Sequence, residues 1–378
     1  TFGVGVALLL LLLRIRYEYN TGMSFEEKLR FDFTTTQTVI RLIGAIDAFR
    51  GKWEAVEQKN NRYLRELRRV ATIESVGSST RIEGAVLTNE EVEKLLHLVK
   101  IKEFGTRDEQ EVLGYFEALD LLLDHARDID LTEAYIKQLH GILLRHSAKD
   151  QRHRGGYKTL SNQVVARYPD GTQRVIFNTT APHLTETAMH ELVGWANGGL
   201  ESRQIHPLLV IGVFVYEFLS IHPFQDGNGR LSRLLTTLLL LKTGYEFAQY
   251  VSFEHIIEQR KANYYRALMA GQQHRGTENE GLGEWMLFFL DGLHTLTTRL
   301  ESKYALYQRQ AGYLNERQQR LLAVLRDHQP LRLSDLVVRL PDVSVNTLKK
   351  DLQHLVRERR VEQVGKSKAT VYLILAGG

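Results

Sequence analysis

From Thr36 to about Gln308 apolar residues return every three or four positions, and only one stretch, 152–182, interrupts them. That spacing lines one face of a helix again and again, so the chain folds as packed helices. Val39, Leu42, Ile43 and Ile46, then Trp53, Val56, Leu64 and Leu67, open the series. The spacing predicts further helices over 108–125, 131–144, 185–197, 207–220, 231–242, 255–269 and 282–308. In the interruption, Val164-Val165 and Val175-Ile176-Phe177 flank Tyr168-Pro169-Asp170-Gly171, the pattern of a β-hairpin. A single hairpin in a helical domain reads as a surface flap. With 43% apolar and 25% charged residues, the chain is an ordinary globular one with enough length for two or three domains. It has no cysteine, which excludes disulfides, thiol nucleophiles and thiolate metal sites.

Between the helices predicted over 207–220 and 231–242 lies Ile221-His222-Pro223-Phe224-Gln225-Asp226-Gly227-Asn228-Gly229-Arg230-Leu231-Ser232-Arg233. A glycine-rich turn opening a helix offers unpaired amides and the positive end of the helix dipole to an anion. Gly227 and Gly229 allow close backbone approach. Arg230 and Arg233, three apart on that helix, share a face and can fork onto successive phosphates. Asp226 is a hard oxygen ligand suited to Mg²⁺ shared with phosphates. His222 titrates near neutrality and suits general-base work on a hydroxyl. His183, His206 and His255 have no metal-ligand spacing with His222 and read as capping or hydrogen-bonded histidines.

This segment resembles the signature of Fic-domain proteins, His-Pro-Phe-x-Asp-Gly-Asn-Gly-Arg-x-x-Arg, with every fixed position filled. The resemblance extends over about residues 37–300. It implies a mainly α fold, a Fic-type helical domain with a β-hairpin flap, and AMP transfer from ATP to a hydroxyl of a target protein or of the chain itself. On that resemblance, His222 deprotonates the target Ser, Thr or Tyr, and Asp226 holds Mg²⁺. Gly227, Asn228 and Gly229 cradle the α-phosphate, Arg230 meets the β-phosphate and Arg233 the γ-phosphate. Tyr264 and Tyr265 fall where relatives line the adenine pocket, with core packing an equal reading. Ser79-Thr80-Arg81-Ile82-Glu83-Gly84 is similar to the family's inhibitory-helix motif, placed N-terminal to the catalytic one. It implies that Glu83, with Ser79, engages Arg233 and blocks the γ-phosphate. In some relatives the same glutamate helps hydrolyse the AMP–protein bond. The flap departs from the family pattern, because Thr179-Thr180-Ala181-Pro182 stands where relatives often have Pro-Pro, and this puts target docking in doubt.

Residues 312–378 hold 12 Lys and Arg against 7 Asp and Glu, leaving 37 against 38 elsewhere. The basic excess therefore lies in the C-terminal piece. Three predicted helices there (317–326, 332–340 and 345–358) precede strands at 361–364 and 370–375 around Gly365-Lys366-Ser367-Lys368. That order matches a small α/β winged helix-turn-helix, with Asn346, Thr347, Lys349 and Lys350 on the recognition helix and DNA or a protein as partner. The expected organisation is a tail over 1–35, a helical region with the inhibitory helix over 36–150, a catalytic core over 151–310 and the winged unit over 311–378.

Phe2 to Leu13 is an uncharged, Leu-rich run, shorter than the ~20 residues that span a bilayer. Residues 1–22 read as an artefact of where the chain starts or a disordered tail, with a weak membrane-associated segment as the alternative. A cytoplasmic location and no membrane partner are expected, and homo-oligomer formation stays open. Two other functions stay open beside the adenylyltransferase. One is a nucleotide-sensing winged-helix transcription regulator; the other is a Fic transferase with a different nucleotide donor.

Overall fold

A computed structural model describes residues 24–57, 61–98, 105–167, 173–310, 314–358, 360–365 and 370–375. The Leu-rich run at 2–13, the hairpin tip at 168–171 and the basic turn at 366–368 lie outside them. The chain divides into two compact units between Glu301 and Ser302.

The first unit is helical. Its elements are α1 (Phe33–Glu57), α2 (Asn61–Ile82), α3 (Asn89–Leu98), α4 (Arg107–His125) and α5 (Glu133–Leu143), the hairpin β1 (Gln163–Arg167) and β2 (Gln173–Asn178), then α6 (Thr185–Ser202), α7 (Pro207–Ile221), α8 (Asn228–Lys242), α9 (Phe253–Gln259), α10 (Lys261–Gln272) and α11 (Gly283–Gln310). The periodic stretch from Thr36 forms two helices, and the second runs on to Ile82 and carries the Ser79–Gly84 motif. The stretch read as one helix over 255–269 is also two. The Arg260 backbone leaves the helical region at φ −113° and ψ 30°, and its guanidinium reaches Asp291 and Thr295 on α11.

The two helices that flank the glycine turn form the centre. Leu208, Ile211, Val213, Phe214, Tyr216 and Phe218 of α7 and Leu231, Leu234, Leu235 and Leu238 of α8 are fully buried. Each such side chain contributes about 1.5–3 kcal/mol on burial. α8 packs against α2, α4, α5 and α7, and α2 packs on α4 and α9. Both ends of the glycine turn are therefore fixed by core. α7 starts cleanly because Pro207 occupies its first position and His206 caps it, Nδ1 accepting the Leu208 N–H at 3.3 Å. β1 and β2 pair antiparallel with a bulge at Val164/Val165, as the hairpin pattern predicts.

The second unit holds α12 (Glu316–His328), α13 (Leu333–Arg339), α14 (Val345–Arg357) and a three-stranded antiparallel sheet. Its strands, β3 (Leu331–Arg332), β4 (Val361–Val364) and β5 (Val371–Ile374), lie in the order β3-β5-β4. The two-residue β3 has too little pattern to be seen in the sequence. Leu321, Leu325, Leu336, Leu348, Leu352 and Leu355 form the core. Among the described residues no helix is long and apolar enough to cross a membrane.

Candidate active site

His222 ends α7. It takes left-handed backbone angles (φ 54°, ψ 59°) while its N–H closes the helix onto Phe218 O at 2.9 Å. A non-glycine residue adopts that conformation at a cost, and functional sites collect such residues. The turn then closes on itself through Asn228: Phe224 N–H donates to Oδ1 at 2.8 Å, and Nδ2 donates to Phe224 O at 2.7 Å. The Asn228 side chain is thus used to hold the loop. What it offers an anion is its backbone N–H. Gly227, at φ 81°, precedes the first turn of α8. Leu231 is the first residue whose N–H finds an acceptor within this turn, Gly227 O at 2.9 Å. The amides of 228–230 therefore sit at the helix mouth without an intrahelical acceptor, at the positive end of the dipole.

His222, Asp226, Gly227, Asn228, Gly229, Arg230, Arg233, Glu83, Tyr264 and Tyr265 all line one cleft of about 360 Å³, a size usual for small-molecule sites. Ser79 stands behind it, fully buried. Tyr264 does both things the sequence left open: it borders the cleft and packs on Trp285 and Phe288. The cleft also takes in Arg107 and Lys149.

Nδ1 of His222 lies 3.2 Å from Leu219 O. A carbonyl only accepts, so Nδ1 carries the proton and Nε2 the lone pair. Burial lowers this imidazole's pKa to about 4, helped by the Lys158 ammonium. It is neutral at pH 7 and able to take a proton.

Asp226 is held in one orientation. Its Oδ1 accepts the Gly227 N–H at 2.6 Å and the Arg230 guanidinium at 3.3 Å, and its Oδ2 meets Lys149 at 2.7 Å. Burial pushes its pKa up, but Arg230 and Lys149 pull it further down, well below the usual carboxylate range. Among the described residues no three His, Cys, Asp or Glu come together as a metal cage. A lone ionised carboxylate fits a cation whose remaining ligands are phosphate and water, the habit of Mg²⁺. Arg230 is 2% exposed; its Nη1 pairs with the Glu111 carboxylate at 3.3 Å outside hydrogen-bond geometry, and its Nε lacks a hydrogen-bond acceptor. A donor orphaned in a buried site suits an anion.

The end of α2 aims Glu83. Ala85 N–H bonds Thr80 O and Gly84 N–H bonds Arg81 O, both at 3.1 Å, with Gly84 at φ 106°. This pair of bonds is the glycine-terminated helix end that reverses the chain sharply, and it explains the glycine after the glutamate. Glu83 Oε1 then reaches the Arg233 guanidinium at 2.8 Å, where Ser79 Oγ and Ser79 O accept at 2.8 and 3.0 Å. Burial opposes the charge on both partners, yet each holds the other ionised: Glu83 is lowered and Arg233 raised. A Cβ on Gly229 would stand 2.2 Å from Glu83 Oε1, so the approach of this carboxylate requires glycine there.

Three loop supports were not apparent in the sequence. Lys158 Nζ donates to Ile221 O at 2.8 Å, and its N–H to Pro223 O at 2.8 Å. Asn162 Nδ2 donates to Phe224 O at 2.8 Å. His140 meets Asp226 O at 3.0 Å. Each bridges 60 or more residues, and no spacing rule announces such a contact. His183 lies within the turn Pro182–Leu184 before α6, and His255 lies on α9 beside Glu258.

Residues 130–240 match the Fic/DOC family model. Proteins called protein adenylyltransferase Fic are similar to this chain. The one from Drosophila willistoni is 27% identical over 234 residues, covering 60% of this chain and 42% of that protein. The Drosophila melanogaster protein gives 27% over 234 residues, 60% and 43%. The chain thus spans less than half the length of these relatives. A Fic family protein from Desulfovibrio desulfuricans superposes with a TM-score of 0.64 at 23% identity, covering 93% of this chain and 98% of that one. A Fic domain containing signaling protein from Bacteroides thetaiotaomicron gives 0.56 at 24%, covering 67% and 94%. At such identities these two structures speak for the fold. With the motif, the helical architecture and the hairpin in agreement, the chain carries a Fic domain.

Proposed function

We propose that this chain is a protein adenylyltransferase that moves AMP from ATP to a Ser, Thr or Tyr hydroxyl of a target protein or of itself, and that Glu83 holds it off. One observation carries the reading: a neutral imidazole, its Nε2 free of the proton, lines the same cleft as the unpaired amides at the mouth of α8. A sensor of nucleotides needs an anion cradle but no such base.

The triphosphate lies along α8. Its α-phosphate meets the amides of 228 and 229, the β-phosphate Arg230 and the γ-phosphate Arg233. Nε2 of His222 takes the proton of the incoming hydroxyl. The oxygen bonds to the α-phosphorus as the bond to the pyrophosphate oxygen breaks, and pyrophosphate leaves with its charge matched by Arg230. Asp226 would hold magnesium, which would supply further charge neutralisation on the phosphates. Placement and fixed charge supply most of the acceleration. Because Glu83 and Ser79 use the same edge of Arg233, the γ-phosphate reaches that edge only after Glu83 leaves. The same carboxylate, beside Gly229, is also suited to steer water in the reverse hydrolysis.

The test is transfer from a panel of α-labelled nucleotides by the Glu83→Gly protein, with products read by mass spectrometry. Label from ATP and a mass gain of one AMP on a hydroxyl residue are expected. Label only from another nucleotide, or none, speaks against the reading.

For the second unit a nucleic-acid reading has its own support. α14 exposes Asn346, Lys349, Lys350, Gln353 and Arg357 along one side, while its buried Asp351 is matched by Arg317 and Gln318. That leaves a basic face on a helix capped by Ser344, suited to the DNA major groove of a winged helix-turn-helix.

A further inference from the structure

His140 sits on α5, far from the motif in sequence and fully buried. Three interactions tie it to the catalytic loop and to the segment that leads into the flap. Gly155 N–H donates to Nδ1 at 2.8 Å. An amide N–H cannot accept, so Nδ1 holds the lone pair and Nε2 the proton. Nε2–H then donates to Asp226 O at 3.0 Å. The ring also stacks on Phe224, centroids 3.8 Å apart and planes within 15°, and lies 3.5 Å from the position a Cβ would take on Gly227.

Fixing the Asp226 carbonyl fixes the plane of the 226–227 peptide. That plane sets the left-handed turn at Gly227 and hence the direction of the amides that follow it. The imidazole is one of the few side chains that can do this here. It accepts on one edge, donates on the other and presents a flat face to Phe224. Neither an aliphatic side chain nor a charged imidazolium meets all three demands.

We infer that His140 is a positioning residue: through the Asp226 carbonyl it aims the amides of Asn228 and Gly229 at the phosphate under attack and couples that aim to the Gly155 segment. The inference rests on the transferase reading for its consequence, and on geometry alone for the placement of the loop. Donors of this kind act on the charge that develops in the transition state, where losing one costs about 10²–10³ in kcat. A misaimed pair is expected to cost kcat roughly ten- to hundredfold and ATP affinity much less.

The experiment uses the full chain carrying Glu83→Gly, with His140→Phe and His140→Gln added. Phenylalanine keeps the volume and the stacking and removes both hydrogen bonds. Glutamine can place an N–H where Nε2–H was. Label transfer from α-labelled ATP, ATP affinity by calorimetry, and hydrogen exchange across residues 222–233 are measured together. The expected result is a drop in kcat for His140→Phe with ATP affinity nearly kept and faster exchange confined to the loop, all largely restored by glutamine. Loop exchange and kcat equal to the parent's in His140→Phe would overturn the inference. So would exchange raised throughout α4 and α5 with no recovery in His140→Gln, the mark of a purely structural residue. If the Glu83→Gly parent transfers no label, the transferase reading has failed, and loop exchange alone still decides whether His140 holds the turn.

Discussion

At Arg233 one guanidinium is shared by Ser79 and Glu83, and its partner chemistry sets two opposite expectations for Glu83→Gly. A charge-assisted bond contributes about 1.5–3 kcal/mol, so freeing the edge should tighten ATP–Mg²⁺ binding roughly ten- to hundredfold, as calorimetry would show. The same change leaves a buried cation short of its partner, which costs about 3–5 kcal/mol where nothing compensates. Ser79 compensates in part. The variant should therefore melt below wild type and gain more from ATP than wild type does; equal ligand-induced shifts in Tm would contradict this. His222 sets a pH expectation. Its pKa falls from 6.5 to about 4, and the working form is the neutral one. Transfer should stay level as pH drops through 6.5 and fall only as it approaches 4, in a profile of kcat/KM recorded over the range where the protein remains folded. An acid limb centred near 6.5 would mean that the base is solvated or is another group.

Among the elements, the loop between α7 and α8 is stapled by Asn228 to both backbone groups of Phe224. Asn228→Ala leaves the buried Phe224 N–H unpaired, at about 1–3 kcal/mol. Denaturant unfolding should show a loss of that size, and transfer should fall with it. Unchanged stability would mean that Lys158, Asn162 and His140 hold the loop without Asn228. This loop was legible in the sequence because its chemistry is local: base, carboxylate, glycine turn and arginines lie within twelve consecutive residues, 222–233, and the spacing of Arg230 and Arg233 puts that pair on one face. The Ser79–Gly84 motif was legible only through its similarity to the family's inhibitory-helix motif; the glycine-ended helix that aims Glu83 is seen in the structure. His140, Lys158, Asn162 and the Glu111 behind Arg230 were not. Each acts on the loop across the tertiary fold, and a buried histidine or lysine has no periodicity to reveal it. The break at Arg260 was missed because the apolar period runs through it undisturbed.

For the molecule as a whole, the two units carry different physics. The first holds the deeply buried pair α7 and α8 that lets a strained histidine and an open helix mouth persist. The second concentrates the basic excess, with Lys349 and Lys350 exposed on α14. If that face meets duplex DNA, Lys349→Glu with Lys350→Glu should weaken binding and lower the salt slope by about 0.9 for each phosphate no longer neutralised. A gel shift indifferent to the double change would place DNA binding elsewhere or nowhere. The adenylyltransferase claim stands or falls on the first unit. Its most direct test is incorporation of α-labelled ATP, with Mg²⁺, into wild type, Glu83→Gly and Glu83→Gly/His222→Ala measured side by side. Low incorporation is expected in the first, a large rise in the second, and none in the third despite retained ATP binding. Equal label in the first two, or label persisting without the imidazole, would contradict it.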